Sequence, residues 1–463
     1  MQDMTATTSV EGLGAGLSGR VITPDDSEYE SARAVFYRSV DRRPAVIVRP
    51  ADATEVSHVV SFARETGAEL AVRSGGHSLA GHGVSEGGVV LDLSDMRALE
   101  IDAEGRSAWA QTGLTARDYT EAAAAHGLAT GFGDTGSVGI GGLTLGGGVG
   151  FLVRKHGLTI DNLLAAELVT ADGELLRVDA HEHPELFWAI RGGGGNFGVA
   201  TRFQFRLHQV ETIVGGMLIL PATADVIASF VAEAEAAPEE LSAIANIMVA
   251  PPMPFLPTEA HGKPVVMALM CYAGEVEAGE RAFAPFRTLV EPIADMVRPM
   301  RYPEIYTLFG DEAEGPGPAQ EVARSLFIDV VDRDTGEAIL DHLQASTAPM
   351  AVAQLRVLGG AMARVPADAT AYAHRERRVM VALGAVYERA EESPVHEAWV
   401  AEFAAALRQG DPGVYVNFLG DEGGTRVREA YPGPTWDRLA EVKRRYDPDN
   451  LFRLNQNVPP AAA

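Results

Sequence analysis

The chain has 463 residues, 46% of them hydrophobic, with 38 Lys+Arg against 64 Asp+Glu and a formal charge of −26. That apolar content excludes a disordered chain, and the acidity disfavours a nucleic-acid or anionic-membrane partner, since both reward clustered positive charge. Cys271, the only cysteine, cannot form an internal disulfide. No apolar run precedes Arg20, the first basic residue, and none elsewhere reaches the ~18 residues of a membrane span, so a soluble cytoplasmic protein is expected.

The first predicted helix carries Val56, Val59, Val60 and Ala63 at helical spacing, with Thr54 as its cap and Gly67 at its end. Leu70-Ala71-Val72 is a short strand that runs straight into Gly75-Gly76-His77, and Val89-Val90-Leu91 is another strand. Thr115 to Ala125 is a helix closed by Gly127. Ala166–Thr170 and Leu175–Val178 flank Asp172-Gly173, which suits a type I′ hairpin turn. Pro184 opens a short helix, and Val199 to Leu207 alternates apolar with polar as a half-buried strand should.

Beyond Val210 the glycine runs thin out. Strands are predicted at 217–220, 265–272, 326–331, 355–358 and 379–387, with helices at 223–237, 277–289, 335–346 and 396–408. The apolar segment from Ala243 to Pro257 is cut by prolines. This mixture predicts an α+β layer, an antiparallel sheet covered by helices on one face. A last helix runs from Thr435 to Tyr446 and stops before Asp447-Pro448.

Three glycine clusters fall in the first half: 74–81, 131–150 and 192–198, with a weaker one at 420–424. Glycine lets backbone N–H groups approach a ligand, so three clusters suggest a large phosphorylated ligand such as a dinucleotide. The Rossmann fingerprint fits poorly: Gly12-Leu13-Gly14-Ala15-Gly16 follows no predicted strand, and Gly139–Gly150 has the wrong register. Tight turns would explain one cluster but explain three less well. His77 sits directly after two glycines at a strand end, where an imidazole nucleophile could attack electrophilic carbon on a bound cofactor.

The ordered blocks Arg73-Ser-Gly-Gly-His77-Ser78, Gly139–Gly150, Gly157–Asn162, Leu186–Gly198, Tyr446–Phe452 and Asn455-Gln456-Asn457 resemble the berberine-bridge-enzyme-like flavoproteins. That family lies in the vanillyl-alcohol-oxidase / p-cresol-methylhydroxylase superfamily. The resemblance implies a p-cresol-methylhydroxylase-type FAD-binding domain (1–210 and 410–463) and an inserted substrate domain (211–409). It implies FAD joined through an 8α-histidyl bond to His77. Where many members have a second anchoring Cys, this chain has Thr135, which implies a single covalent link. The cofactor contacts it implies are Arg73, Ser74, Gly75, Gly76, His77, Ser78, Thr135, Val138, Gly139, Gly141, Gly142, Gly147, Gly198, Val199, Tyr415, Asn417 and Asn455.

Tyr415-Val-Asn417-Phe418 matches a family segment bordering the flavin ring. Tyr415 is therefore either the proton acceptor or a residue that packs on the ring. Val138, three residues after Thr135, matches the position near flavin C4a where Val goes with oxidases and Leu with dehydrogenases. Asp161-Asn162 are expected to brace a cofactor loop or to be structural, His82 to support its own loop, and His181 with His183 to lie in a solvated loop. No carboxylate can be singled out as a base. The leading expectation is an oxidase taking an alcohol, sugar or natural product with O₂ as acceptor. A dehydrogenase and a non-catalytic flavin store are the alternatives. The aromatic residues Tyr272, Tyr302, Tyr306, Phe309, Tyr372 and Tyr387 are either an apolar substrate lining or plain core. Oligomeric state is left open.

Overall fold

The computed structural model describes residues 13, 16–308, 317–410 and 412–462; Gly12, Gly14 and Phe309 lie outside the described residues. Three large sheets and one two-stranded ribbon, Leu128–Ala129 with His208–Gln209, organise the described residues. The first contains β1 (Arg20–Ile22), β2 (Val46–Arg49), β3 (Leu70–Arg73) and β4 (Val89–Asp92) in the order β1-β2-β4-β3. Here β2, β4 and β3 run parallel, which requires crossovers, and the helix Ala53–Thr66 supplies one. That helix buries Val56, Val59, Val60 and Ala63 as its spacing dictates, and Gly67 ends it at φ +69°. Its cap is Asp52, not Thr54: the Asp52 carboxylate accepts from the Glu55 N–H at 3.0 Å. The backbone is still extended at Asp52, so Thr54 already lies inside the first turn.

The second sheet is antiparallel and contains β5 (Leu99–Asp102), β6 (Ser107–Gln111), β7 (Leu163–Val169), β8 (Leu175–Asp179) and β9 (Val199–Arg206), ordered β5-β6-β9-β7-β8. The β7–β8 hairpin forms as expected, but not through a type I′ turn. Gly173 has φ +84° while Asp172 stays at negative φ, and type I′ requires both positive.

The large sheet is antiparallel throughout. Its long strands are β10 (Thr212–Pro221), β11 (Leu241–Val249), β12 (Pro264–Tyr272), β13 (Gln320–Ile328), β14 (Met350–Val357) and β15 (Val379–Tyr387), ordered β10-β12-β11-β14-β15-β13. Four helices, 224–236, 276–287, 333–345 and 393–406, cover one face. In β12, Val266, Ala268 and Met270 point to those helices, while Val265, Met267, Leu269 and Cys271 point to the other face and its separate core. Both faces are buried, which is why β12 reads as an unbroken apolar run. The strand β11 was not expected. The prolines begin at Pro251, after the strand has ended, so they do not interrupt its ladder to β12. Cys271 is fully buried, and burial pushes its thiol pKa up. No helix among the described residues is long and apolar enough to cross a membrane.

Candidate active site

A cavity of about 600 Å³ lies between the glycine-rich loops and β13, β14 and β15 of the large sheet. Its first wall starts where β3 ends. The Arg73 guanidinium donates to Asp92 at 2.8 Å and to the carbonyls of Ala32 and Ala34. Arg73 therefore braces the strand end from behind. Ser74 Oγ donates to the Thr112 carbonyl (2.5 Å) and accepts from the Gly141 N–H (3.2 Å), which ties this loop to the helix Ile140–Gly146. Gly75 and Gly139 meet backbone to backbone: a Cβ on Gly75 would lie 2.2 Å from the Gly139 nitrogen. Side chains are excluded there by contact, and the cavity wall is peptide.

His77 comes next. Its ring stacks on Phe36 at 4.2 Å between centroids, and Nε2 lies 3.2 Å from Ser137 Oγ. Burial lowers its pKa to about 4, so the imidazole is neutral at pH 7. In the tautomer in which Nε2 donates to Ser137, the Nδ1 lone pair is free, which is the state a nucleophile needs. Thr135, at the position of the family's second anchor, is exposed on the same wall.

Tyr415 is 3% exposed. Its phenolic oxygen accepts from the Gly148 N–H at 2.8 Å and from Asn417 Nδ2 at 2.9 Å. Burial raises its pKa, and those two donors only partly offset the effect. The neutral phenol has both lone pairs engaged, so what it still offers the cavity is its O–H. This geometry favours hydrogen-bond donation over the proton-acceptor role. Asn417 is seated by a second bond to the Leu143 carbonyl, and a Cβ on Gly146 would strike its Oδ1.

Most residues named for the cofactor line this cavity: Arg73 through Ser78, Thr135, Val138, Gly139, Gly141, Gly142, Gly198, Val199, Tyr415, Asn417 and Asn455. Gly147 does not. It lies behind the wall at φ +136°, where a Cβ would press on the Tyr372 and Tyr415 rings. Asp161 and Asn162 are also outside it. Asp161 forms a bidentate pair with the buried Arg375 (2.7 and 2.8 Å), and the Asn162 Oδ1 accepts from His208 Nε2 at 2.6 Å. Tyr272, Tyr302, Tyr306, Tyr372 and Tyr387 are buried in the core and line none of the cavity.

The sheet wall was not legible beforehand. It brings Glu321, Ala323, Ser325, Val352, Gln354, Arg356, Ala382 and Gly384 to the cavity. Arg356 reaches across to Asp134 at 2.6 Å. Burial alone raises the Glu321 pKa to about 7. His82 is on the wall too, and neither of its ring nitrogens has a hydrogen-bond partner.

The walls fit a large polar ligand such as FAD. Asn455 Oδ1, Ser325 Oγ and both His82 nitrogens are buried there without partners, and buried polar atoms are normally satisfied. A Cβ on Gly142 or Gly195 would meet nothing within 4 Å, so bare backbone faces the space at both places.

The comparisons agree with this site. Residues 44–179 match the family model described as FAD binding domain, and 414–459 match the one described as Berberine and berberine like. The chain is 32% identical over 462 residues to (R)-6-hydroxynicotine oxidase of Paenarthrobacter nicotinovorans, covering 96% of this chain and 97% of that protein. It is 28% identical to xylooligosaccharide oxidase of Thermothelomyces thermophilus, covering 95% and 92%. The crystal structure of 6-hydroxy-D-nicotine oxidase from Arthrobacter nicotinovorans superposes with a TM-score of 0.84 at 30% identity, over 96% of this chain and 99% of that one. Physcomitrella patens BBE-like 1 shares the fold, with a TM-score of 0.87 at 20% identity over 99% of each chain. Glycine loops that expose backbone to a large cavity, a neutral histidine at its wall and these matches along the whole chain lead to one assignment: the protein is an FAD-linked oxidoreductase of the berberine-bridge-enzyme-like family.

Proposed function

We propose that this enzyme is an oxidase whose FAD is attached once, through His77, and which passes electrons from a small organic substrate to O₂ with release of hydrogen peroxide. The observation that carries this reading is one cavity walled at once by the glycine loops, by His77 and by Tyr415. The FAD-binding unit is then 1–210 with 410–463, and 211–409 supplies the substrate wall. When bound, FAD supplies the acceptor for a hydride from a substrate carbon. The backbone at Gly75, Gly76, Gly139, Gly141, Gly142 and Gly198, with Ser74, Ser78, Val199, Asn417 and Asn455, holds it. His77 is poised for attachment because burial keeps its ring neutral. Thr135 has no thiol, which supports a single link. Tyr415 orients the reacting group of the substrate through its O–H. The relatives named as oxidases support O₂ as the acceptor.

The test is a substrate-library screen that reads peroxide, run on protein whose yellow colour survives acid precipitation. Bleaching by substrate without peroxide would replace the oxidase with a dehydrogenase. Release of free FAD by acid would remove the covalent link.

A further inference from the structure

We propose that Glu321 is the specificity-determining residue of this cavity, its carboxylate binding a protonated or quaternary nitrogen, so that the substrate is an organic cation. This rests on the reading that cofactor and substrate share the cavity.

The register of the sheet builds the platform. Ala323 pairs with Gly384 and Gly384 with Val352; Ser325 pairs with Ala382 and Ala382 with Gln354. These residues share one face and line the cavity with Glu321, which lies two positions before Ala323 on the same face of β13. Ala323, Ala382 and Gly384 leave the middle of this floor shallow; a Cβ on Gly384 would still be 3.7 Å from its nearest neighbours. Glu321 stands at the edge of that floor.

The charges on the wall are otherwise matched. Arg73 pairs with Asp92 (2.8 Å), Arg324 with Glu422 (3.1 Å) and Arg356 with Asp134 (2.6 Å). Glu321 has no hydrogen bond or ion pair with any described residue. Glu321 is half-buried; withdrawing a carboxylate from water without a cation is costly, and the carboxyl responds by holding its proton up to about pH 7. A ligand that brings a positive charge removes that penalty, and the proton leaves to solvent. A neutral sugar or alcohol brings no such charge. The chain's net charge of −26 also favours the approach of a cation.

Other titratable and charged groups line the cavity with Glu321. From the segment before His77, Tyr37 has its pKa raised by burial and by Glu321 and Asp134. His77 and His82 on the far wall are lowered to about 4 by burial. Arg324 on its own strand, and Arg356 and Asp134 across the cavity, are tied up in ion pairs.

The test uses flavin-loaded enzyme and benzyltrimethylammonium, a permanent cation, beside its uncharged carbon isostere neopentylbenzene. Binding is read from the perturbed flavin spectrum between pH 6 and 8. Over that range a carboxyl titrating near 7 goes from about one-tenth to nine-tenths ionised. The cation should therefore bind about tenfold tighter at pH 8, and the isostere should not respond to pH. Glu321→Gln should remove the pH response and weaken the cation about tenfold or more at pH 8, while Glu321→Asp keeps the response. Retained flavin colour shows that the variants are folded. Equal binding of the cation to parent and Glu321→Gln would overturn the proposal, as would an isostere that binds the parent as tightly as the cation. Either result leaves the oxidase reading standing, whereas protein that holds no flavin overturns that reading first.

Discussion

The phenolic oxygen of Tyr415 accepts a hydrogen bond from the backbone N–H of Gly148 at 2.8 Å, across 267 residues of chain. The bond joins the C-terminal segment to the end of the glycine-rich block, and Asn417 completes it at 2.9 Å. Tyr415 lines the cavity and is thus fixed through its oxygen, its O–H left without a partner among the described residues. Tyr415→Phe keeps the ring and deletes that O–H. Loss of this positioned donor should slow flavin reduction by substrate by about 10²-fold. The orphaned Gly148 and Asn417 donors should also cost about 1–3 kcal/mol of stability. Rapid-mixing absorbance measures the first, and denaturant unfolding the second. Reduction at the parent rate would make Tyr415 a packing residue.

Among the described residues, the His77 ring is held by Ser137 and Phe36. His77→Ala should leave the fold intact and abolish covalent flavin. Denatured parent protein should show a fluorescent flavin band on a gel, and the variant none. A fluorescent band in the variant would place the attachment elsewhere.

Val138 is pinned by its backbone, its carbonyl accepting from the Ala116 N–H at 2.9 Å, and it lines the cavity with its side chain packed against the adjoining core. An added methylene has no slack to absorb it. Val138→Leu should therefore slow reoxidation of the reduced flavin by O₂, by about tenfold, with substrate reduction little changed. Stopped-flow mixing with oxygenated buffer decides the matter. An unchanged reoxidation rate would show that oxygen reaches the flavin by another route.

Acid should destabilise the protein through its buried histidines. His374 is 6% exposed, and burial lowers its pKa to about 4. In the unfolded chain it titrates near 6.5. Between those values the unfolded state binds the extra proton, so stability falls as pH drops from about 6.5 to about 4 and levels off below. His374 alone contributes roughly 3 kcal/mol to that loss. His208, also lowered to about 4, acts in the same sense. Urea unfolding at a series of pH values should show this slope, and His374→Phe should flatten it.

Local sequence determined the glycine-rich elements that line the cavity. Helix spacing, the strand before Gly75 and the positive-φ glycines act over a few residues, so the loop carrying His77 could be read directly, whereas the wall position of Asn455 followed only from the family resemblance. What local sequence could not decide was which face of a strand meets which partner. Period-two alternation separates two faces without saying which lines a cavity, and where both are buried, as in β12, even the alternation vanishes. The large tyrosines therefore became core, while Ala323, Ala382 and Gly384 became the cavity wall. The pairing of Arg356 with Asp134 spans 222 residues, and only once it had formed was Glu321 left as the wall's unmatched carboxylate. Burial and ion pairing depend on groups brought together by the tertiary fold, and those settings gave Glu321 and His77 their protonation states.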